Sequence, residues 1–228
     1  KKLNKCSFKK KITFKLKNMY HPTIKTPIKN SINMDKNIII TGPNAAGKTT
    51  TIKATIINLL LTQQLGLGFF DKCQTSTFDY IHSYLNIPDS CSRDSLFQAE
   101  ARRCKDILDC INKYPDKKHF CIFDELYSGT NPYEAISSAF SYLDYISKNP
   151  NVRFLLTTHF IKLCTLFEKK SKIINKSMKT MEDENKNPVY TYKITNGIST
   201  VKGGVSVLRN LDYPEDIIKM SLHVLENI

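Results

Sequence analysis

The ten residues Thr41-Gly42-Pro43-Asn44-Ala45-Ala46-Gly47-Lys48-Thr49-Thr50 carry the strongest chemical signal in this 228-residue chain. They fit the spacing G-x-x-x-x-G-K-[ST] without a mismatch. Glycines at both ends let the backbone curl, so that successive N–H groups from Gly42 to Thr50 face a phosphate chain. A lysine at position 48 reaches the β- and γ-phosphates, and the Thr49 hydroxyl is placed to ligate Mg²⁺. Those residue types at that spacing point to a nucleotide bound through its phosphates, held with Mg²⁺.

Two further segments offer complementary groups. Phe120-Cys121-Ile122-Phe123-Asp124-Glu125 is an apolar run closed by two acids. Asp124 is expected to hold Mg²⁺ directly or through water, and Glu125 to polarise an attacking water as general base. Leu155-Leu156-Thr157-Thr158-His159 is a similar run closed by histidine. A neutral His159 at the same sheet edge could hydrogen-bond the γ-phosphate or the water. The plainer alternatives are two acids that merely cap a strand and a histidine satisfied by structure. They are outweighed by the position of both segments downstream of a well-placed phosphate loop.

These groups need elements to carry them. Asn37–Ile40 reads as a buried strand leading into the loop, and residues 51–64 as a helix whose N-terminus aims partial positive charge at the phosphates. Gly66-Leu67-Gly68 ends that helix. His119–Phe123 and Val152–Thr157 read as further buried strands. Helices are expected over 132–147, with Pro132 in the first turn, over 160–169, and over 213–227. Asp94 or Ser95 reads as the cap of a helix running through Ile111. Short strands are expected around 78–83, a loop around Pro88-Asp89-Ser90, an exposed hairpin tip over 181–187 and a strand over 189–194. Residues 7–17 alternate apolar and basic side chains, the pattern of an edge strand with one wet face. Strands alternating with helices predict an α/β fold with its sheet covered on both faces and the ligand site outside the strands' carboxyl ends.

Composition narrows the class. Hydrophobic residues make up 41% and charged residues 24%, enough for a packed core. No apolar run approaches the roughly 18 residues of a membrane span, and no apolar segment follows the basic start as a signal peptide requires. Seven cysteines form no C-x-x-C pair, which suits reduced thiols in an intracellular compartment, cytoplasm or nucleus. The net charge is +13, and residues 1–36 hold eleven lysines against one acid, Asp35. Such a block suits DNA or another polyanion. The 29 lysines against five arginines equally suit an AT-rich coding sequence. The chain starts at Lys1 without an initiator methionine, as expected of a piece of a longer protein.

Taken together, Thr41-Gly42-Pro43-Asn44-x-x-Gly47-Lys48-Thr49-Thr50, Asp124-Glu125-x-x-x-Gly129-Thr130 and Thr157-Thr158-His159 resemble the ATPase domain of the MutS family of mismatch-repair proteins. The resemblance extends to His21-Pro22 followed by Asn30, to Gln64-Leu65-Gly66, to Ser92-Arg93-Asp94-Ser95-Leu96-Phe97-x-x-Glu100, and to the run from Gly203 to Ile218. It implies a P-loop NTPase of ABC type, a mixed sheet flanked by helices with an antiparallel N-terminal β portion. Residues 1–18 would form a basic edge strand at the junction with a missing upstream region. Residues 19–228 would form the ATPase domain, with a C-terminal helical region from about 205.

The resemblance further implies ATP hydrolysis to ADP and phosphate. It implies a homo- or heterodimer of such domains, DNA binding through upstream regions, Asn44 helping to place the water, and Ser95 contacting the γ-phosphate held by the partner subunit. Three departures stand out. Leu96 replaces a usual threonine, Ala45-Ala46 replaces a usual Met-Gly, and Pro27-Ile28-Lys29 stands where an aromatic usually stacks on adenine. A second reading is a nucleotide-dependent clamp acting on DNA structures other than mismatches. A transporter or chromosome-maintenance ATPase is disfavoured, because no L-S-G-G-Q segment occurs.

Overall fold

Alternation within the short apolar runs decides the architecture, because successive strand side chains point to opposite faces. The computed structural model describes residues 2–85, 95–183, 188–201 and 203–226. In chain order its elements are β1 (Asn4–Phe8), β2 (Phe14–Met19), β3 (Asn30–Asn33), β4 (Asn37–Thr41), α1 (Lys48–Leu65), β5 (Leu67–Gly68), β6 (Lys72–Thr75) and β7 (Tyr80–Tyr84). There follow α2 (Leu96–Lys113), β8 (His119–Asp124), α3 (Pro132–Ser147), β9 (Val152–Thr158), α4 (Ile161–Phe167), β10 (Ile173–Glu182), β11 (Pro188–Asn196), α5 (Gly204–Asn210) and α6 (Glu215–Glu226).

The larger sheet has the strand order β11-β10-β4-β9-β8-β7. Every pair in it is parallel except β10 with β11. Ile39, Cys121, Phe123, Phe154 and Leu156 face one core with α2, α3 and α4. Ile38, Ile40, Phe120, Ile122 and Leu155 face the other, with Ile52 and Leu59 of α1 and the apolar face of the smaller sheet. Both faces are therefore covered, and each fully buried side chain of this size contributes about 1.5–3 kcal/mol. Asn58 interrupts the apolar run of α1 and is fully buried. It donates to the carbonyls of Ala54 and Tyr20 and accepts from the Phe69 N–H, so this polar residue ties the helix to the smaller sheet.

The smaller sheet has the order β3-β2-β6-β1-β5, and it corrects two expectations. Residues 7–17 do not form one edge strand. The alternating segment breaks over residues 9–13 into β1 and β2, and β2 lies inside the sheet between β3 and β6. Its wet-looking alternation arises because only one face is buried, through Phe14, Leu16 and Met19. Nor is this sheet wholly antiparallel: β1 runs parallel to β6, with Cys6 opposite Cys73. Strand order of this kind depends on partners tens of residues away, which local pattern does not encode.

Most other elements match within a few residues. Four have no counterpart in the sequence reading: β3, β5, β6 and β10, the last of which sits beside β4 in the interior of the larger sheet. Residues 86–94 contain the expected loop at 88–90, Asp94, and Ser92-Arg93 of the signature-like segment, and they lie outside the described residues. The same holds for 184–187 of the expected hairpin tip and for Asn227. Among the described residues, no helix is long and apolar enough to cross a membrane.

Candidate functional site

The site is assembled where β4, β9 and β8 end. Parallel register sets Thr41 beside Thr158 and Asp124 beside Thr157, so three strand ends open on one edge. Gly47 caps α1 with φ of 93° and no side chain to occupy the first-turn N–H groups. A residue with a Cβ would be strained at that φ and would also meet the Tyr192 ring at 3.0 Å. The helix start is thereby left suited to an anion.

Lys48 is 5% exposed. Its ammonium donates to the carbonyls of Gly42 at 2.8 Å and Pro43 at 3.2 Å, and to Asn44 Oδ1 at 3.5 Å. It also pairs with Glu125 Oε1 at 3.2 Å. The Thr49 hydroxyl donates to Asp124 Oδ2 at 2.8 Å, and the Thr157 hydroxyl donates to Oδ1 of the same carboxylate. Thr49 and Asp124 thus present adjoining hard oxygen ligands, the donor set that suits Mg²⁺.

Glu125 adopts φ of 53°, an uncommon conformation for a residue other than glycine. Its N–H is held by the Thr157 carbonyl at 3.0 Å. Its Oε2 accepts from His159 Nδ1 at 2.7 Å and from the His159 N–H at 3.2 Å. Burial would push this carboxyl up, but the His159 hydrogen bond and the Lys48 charge outweigh it, and the net shift is downward. A carboxylate of that kind stays ionised beside a cation and can accept a proton from water.

Of the expected site residues, Gly42, Pro43, Asn44, Ala45, Ala46, Gly47, Lys48 and Thr49 share one loop-and-helix start, with Asp124, Glu125 and His159 brought to it by β8 and β9. Pro43, Asn44 and His159 also line one cavity of about 260 Å³ with Gly203 and Gly204. A Cβ on Gly203 would meet Pro43 at 2.7 Å, so the segment before α5 packs directly on the loop. Among the described residues, no hydrogen bond or ion pair joins Ser95 to this group. Ser95 caps α2 in a capping box, accepting from the Gln98 N–H at 3.4 Å while its own N–H donates to the Gln98 side chain at 2.9 Å.

The helix that Ser95 caps is nevertheless coupled to the loop after Glu125. Buried Glu100 accepts from the N–H and hydroxyl of Ser128 and from the Gly129 N–H, at 2.9 to 3.1 Å. A Cβ on Gly129 would lie 2.7 Å from the Phe97 backbone nitrogen and from Leu96 Cγ. Gly129→Ala is therefore expected to displace the start of α2 and to destabilise the fold by about 1–3 kcal/mol. Thermal unfolding measures this, and an unchanged melting temperature would show that the contact gives way freely.

A cavity of about 400 Å³ adjoins Gly47, Thr50 and Thr51. Tyr20, His21, Ile28 and Tyr192 are among its walls. Residues 27–29 hold no aromatic, but Tyr20 and Tyr192 give this cavity aromatic walls. Tyr192 comes from β11 with φ of 57°, and the Asn30 side chain clamps that strand by donating to the Tyr192 carbonyl and accepting from the Ile194 N–H, both at 2.8 Å. Spacing could not have singled out Tyr192, which lies 162 residues from Asn30.

Fold and site define an α/β protein in which a glycine-rich strand-to-helix loop faces an acid pair two strands away. The family model "MutS domain V" matches residues 38–228, and the chain belongs to the MutS family. It is 28% identical over 194 residues to "DNA mismatch repair protein MutS" of Finegoldia magna, covering 83% of this chain and 22% of that protein. It is 30% identical over 197 residues to the protein so named in Bacteroides fragilis, covering 84% and 22%. The corresponding protein of Pseudothermotoga lettingae is 26% identical over 221 residues, covering 93% and 27%. The chain spans about a quarter of the length of these relatives.

Proposed function

We propose that this chain is the ATP-hydrolysing part of a MutS-type mismatch-repair protein, a P-loop NTPase of ABC type that couples ATP-driven dimerisation to DNA binding. The observation that carries the reading is the convergence of Lys48, Thr49, Asp124, Glu125 and His159 on one sheet edge. Incoming phosphate oxygens would replace the loop carbonyls as partners of Lys48, and the backbone N–H groups of the loop would complete the cradle. Thr49 and Asp124 would hold Mg²⁺, whose charge offsets that developing on the phosphates. Glu125, kept ionised, would take the proton of the attacking water, with His159 orienting its carboxylate and Asn44 helping to place the water.

The 400 Å³ cavity would take the base against Tyr192, beside Thr50. Ser95, at a helix start coupled to Gly129, would meet the γ-phosphate of a second such domain, and DNA would be bound by the remainder of the parent protein. Both Glu125 oxygens already have partners, which favours the second reading of a clamp in which nucleotide binding matters more than turnover. That second reading shares the same site.

The chain is expected to release phosphate from ATP in the presence of Mg²⁺. Tyr192→Ala should raise KM and leave kcat unchanged. The factor should be about 5-fold or more, since stacking of a base on an aromatic ring is worth about 1–3 kcal/mol. Steady-state phosphate release measures both. Unchanged KM would place the base elsewhere, and no release at all would leave the clamp reading.

A further inference from the structure

At the opposite end of β8 from Asp124, three side chains form a second cluster that the nucleotide site does not use. His119 opens β8, His82 lies on the neighbouring edge strand β7, and Cys110 lies on α2. One ring nitrogen each of His82 and His119 and the Cys110 Sγ all lie within 4.8 Å of one another. His119 and Asp124 stand five residue steps apart along β8, about 16 Å at the usual strand rise, so the two clusters are separate sites.

The tautomers follow from the hydrogen bonds. His119 Nε2 lies 2.9 Å from the Tyr114 carbonyl, which can only accept, so Nε2 carries the proton. In the neutral ring Nδ1 is then an unprotonated lone pair, and it faces His82 Nε2 at 3.0 Å. A metal-binding histidine is commonly oriented in this way, by donating its other ring N–H to a backbone carbonyl. Tyr80 lies over His119 with centroids 5.0 Å apart and over Tyr114 at 5.2 Å, both nearly parallel, which fixes the ring plane. His119 is fully buried and His82 nearly so, whereas Cys110 is half-buried and gives access from solvent.

We propose that His82, His119 and Cys110 form a binding site for a thiophilic divalent transition metal of the zinc class. Two imidazole nitrogens and a thiolate are ligands of the borderline-soft type that zinc takes, with a water as fourth ligand. Binding replaces the His82–His119 hydrogen bond by two metal–nitrogen bonds. It requires the ring nitrogens to part slightly, from 3.0 Å to about 3.3 Å at tetrahedral geometry with bonds of about 2.0–2.1 Å. The proton on His82 Nε2 moves to Nδ1 of that ring through solvent, and the Cys110 thiol releases its proton as it ligates. Bound metal would clip the edge strand β7 to α2, at the end of the sheet away from the phosphate loop. The inference stands whether or not the nucleotide reading does.

The test uses the whole chain, stripped with chelator and equilibrated with Zn²⁺ in a large excess of Mg²⁺, so that the Thr49–Asp124 oxygens hold magnesium. Metal content is then counted by mass spectrometry after gel filtration. One zinc per chain is expected. Cys110→Ala should hold zinc at least about 10-fold more weakly, the lower end of what loss of an outer-shell partner alone costs. In a parallel sample Co²⁺ should give a thiolate charge-transfer band in the wild type that Cys110→Ala lacks. Metal-free melting temperatures of the two chains show that the variant is folded. Cys6 and Cys73, whose sulfurs lie 2.9 Å apart, could also take zinc, so Cys6→Ser is run beside it and should keep the metal. A wild type that elutes without zinc, equal retention by Cys110→Ala, or loss on Cys6→Ser instead would each overturn the proposal.

Discussion

Lys48→Ala is expected to keep the fold and lose most of the stabilisation that Mg·ATP gives the wild type. A ligand that binds only the folded state stabilises it by about 2.7 kcal/mol at a hundredfold excess over Kd. For a chain of this length that is a rise of about 5–10 °C in melting temperature. The expectation rests on position. The Lys48 ammonium sits among the Gly42 and Pro43 carbonyls, where a phosphate oxygen would be its stronger partner. Alanine there removes that cation and leaves the core of α1, built on Ile52 and Leu59, untouched. Thermal unfolding with and without millimolar Mg·ATP makes the measurement. No shift in the wild type, or an equal shift in the variant, would remove the phosphate loop as a nucleotide site.

Glu125→Gln is the complementary case: ATP binding retained and turnover slowed at least about 10²-fold, the usual contribution of a general base. The amide keeps the shape of the side chain but cannot accept the water's proton. If hydrolysis normally opens a dimer, this variant should accumulate as one in sedimentation with Mg·ATP. Mixing Lys48→Ala with Ser95→Ala chains should then recover up to one intact site per mixed dimer, provided that Ser95 acts across the seam. Unchanged turnover would transfer the role of base to another group, His159 first.

The pH dependence carries a sign. The folded-state pKa of Glu125 lies below its ordinary value of 4.5, so protons bind the unfolded chain more readily than the folded one. Stability from its Lys48 and His159 contacts is present above the unfolded pKa and is lost as pH falls through the folded one. The stability difference between wild type and Glu125→Gln should therefore be flat above about pH 4.5 and shrink below it, as denaturant titrations at stepped pH can show.

The sequence was most legible where a function depends on contiguous spacing. The order strand, Gly42–Thr50 loop, helix could be read directly, because a phosphate cradle is made by consecutive backbone groups. The acids closing β8 and the histidine closing β9 were legible for a related reason. Each terminates an apolar run long enough to be a buried parallel strand, and such strands end on one edge. Ser95 was legible as a cap, and the structure supplies its Gln98 partner.

Other features depend on which segments become neighbours. β10 went unread, since Ile173–Glu182 mixes polar and apolar residues and gains its place only by pairing with β4 and β11. The split of residues 7–17 into two strands went unread because its cause is partners drawn from β3 and β6. The His82–Cys110–His119 cluster joins three elements over 37 residues with no ligand-like spacing, and Tyr192 reaches Gly47 only because Asn30 holds its strand.

By itself, then, the sequence determined the placing of the loop, the two acids and the histidine at strand ends, together with the alternating α/β pattern that presents them. Only the tertiary structure decided the strand order, the aromatic wall of the cavity and the distant histidine–cysteine cluster. The physical reason is that local periodicity states which face of an element is buried, whereas the partner that buries it is chosen by packing among segments far apart in the chain.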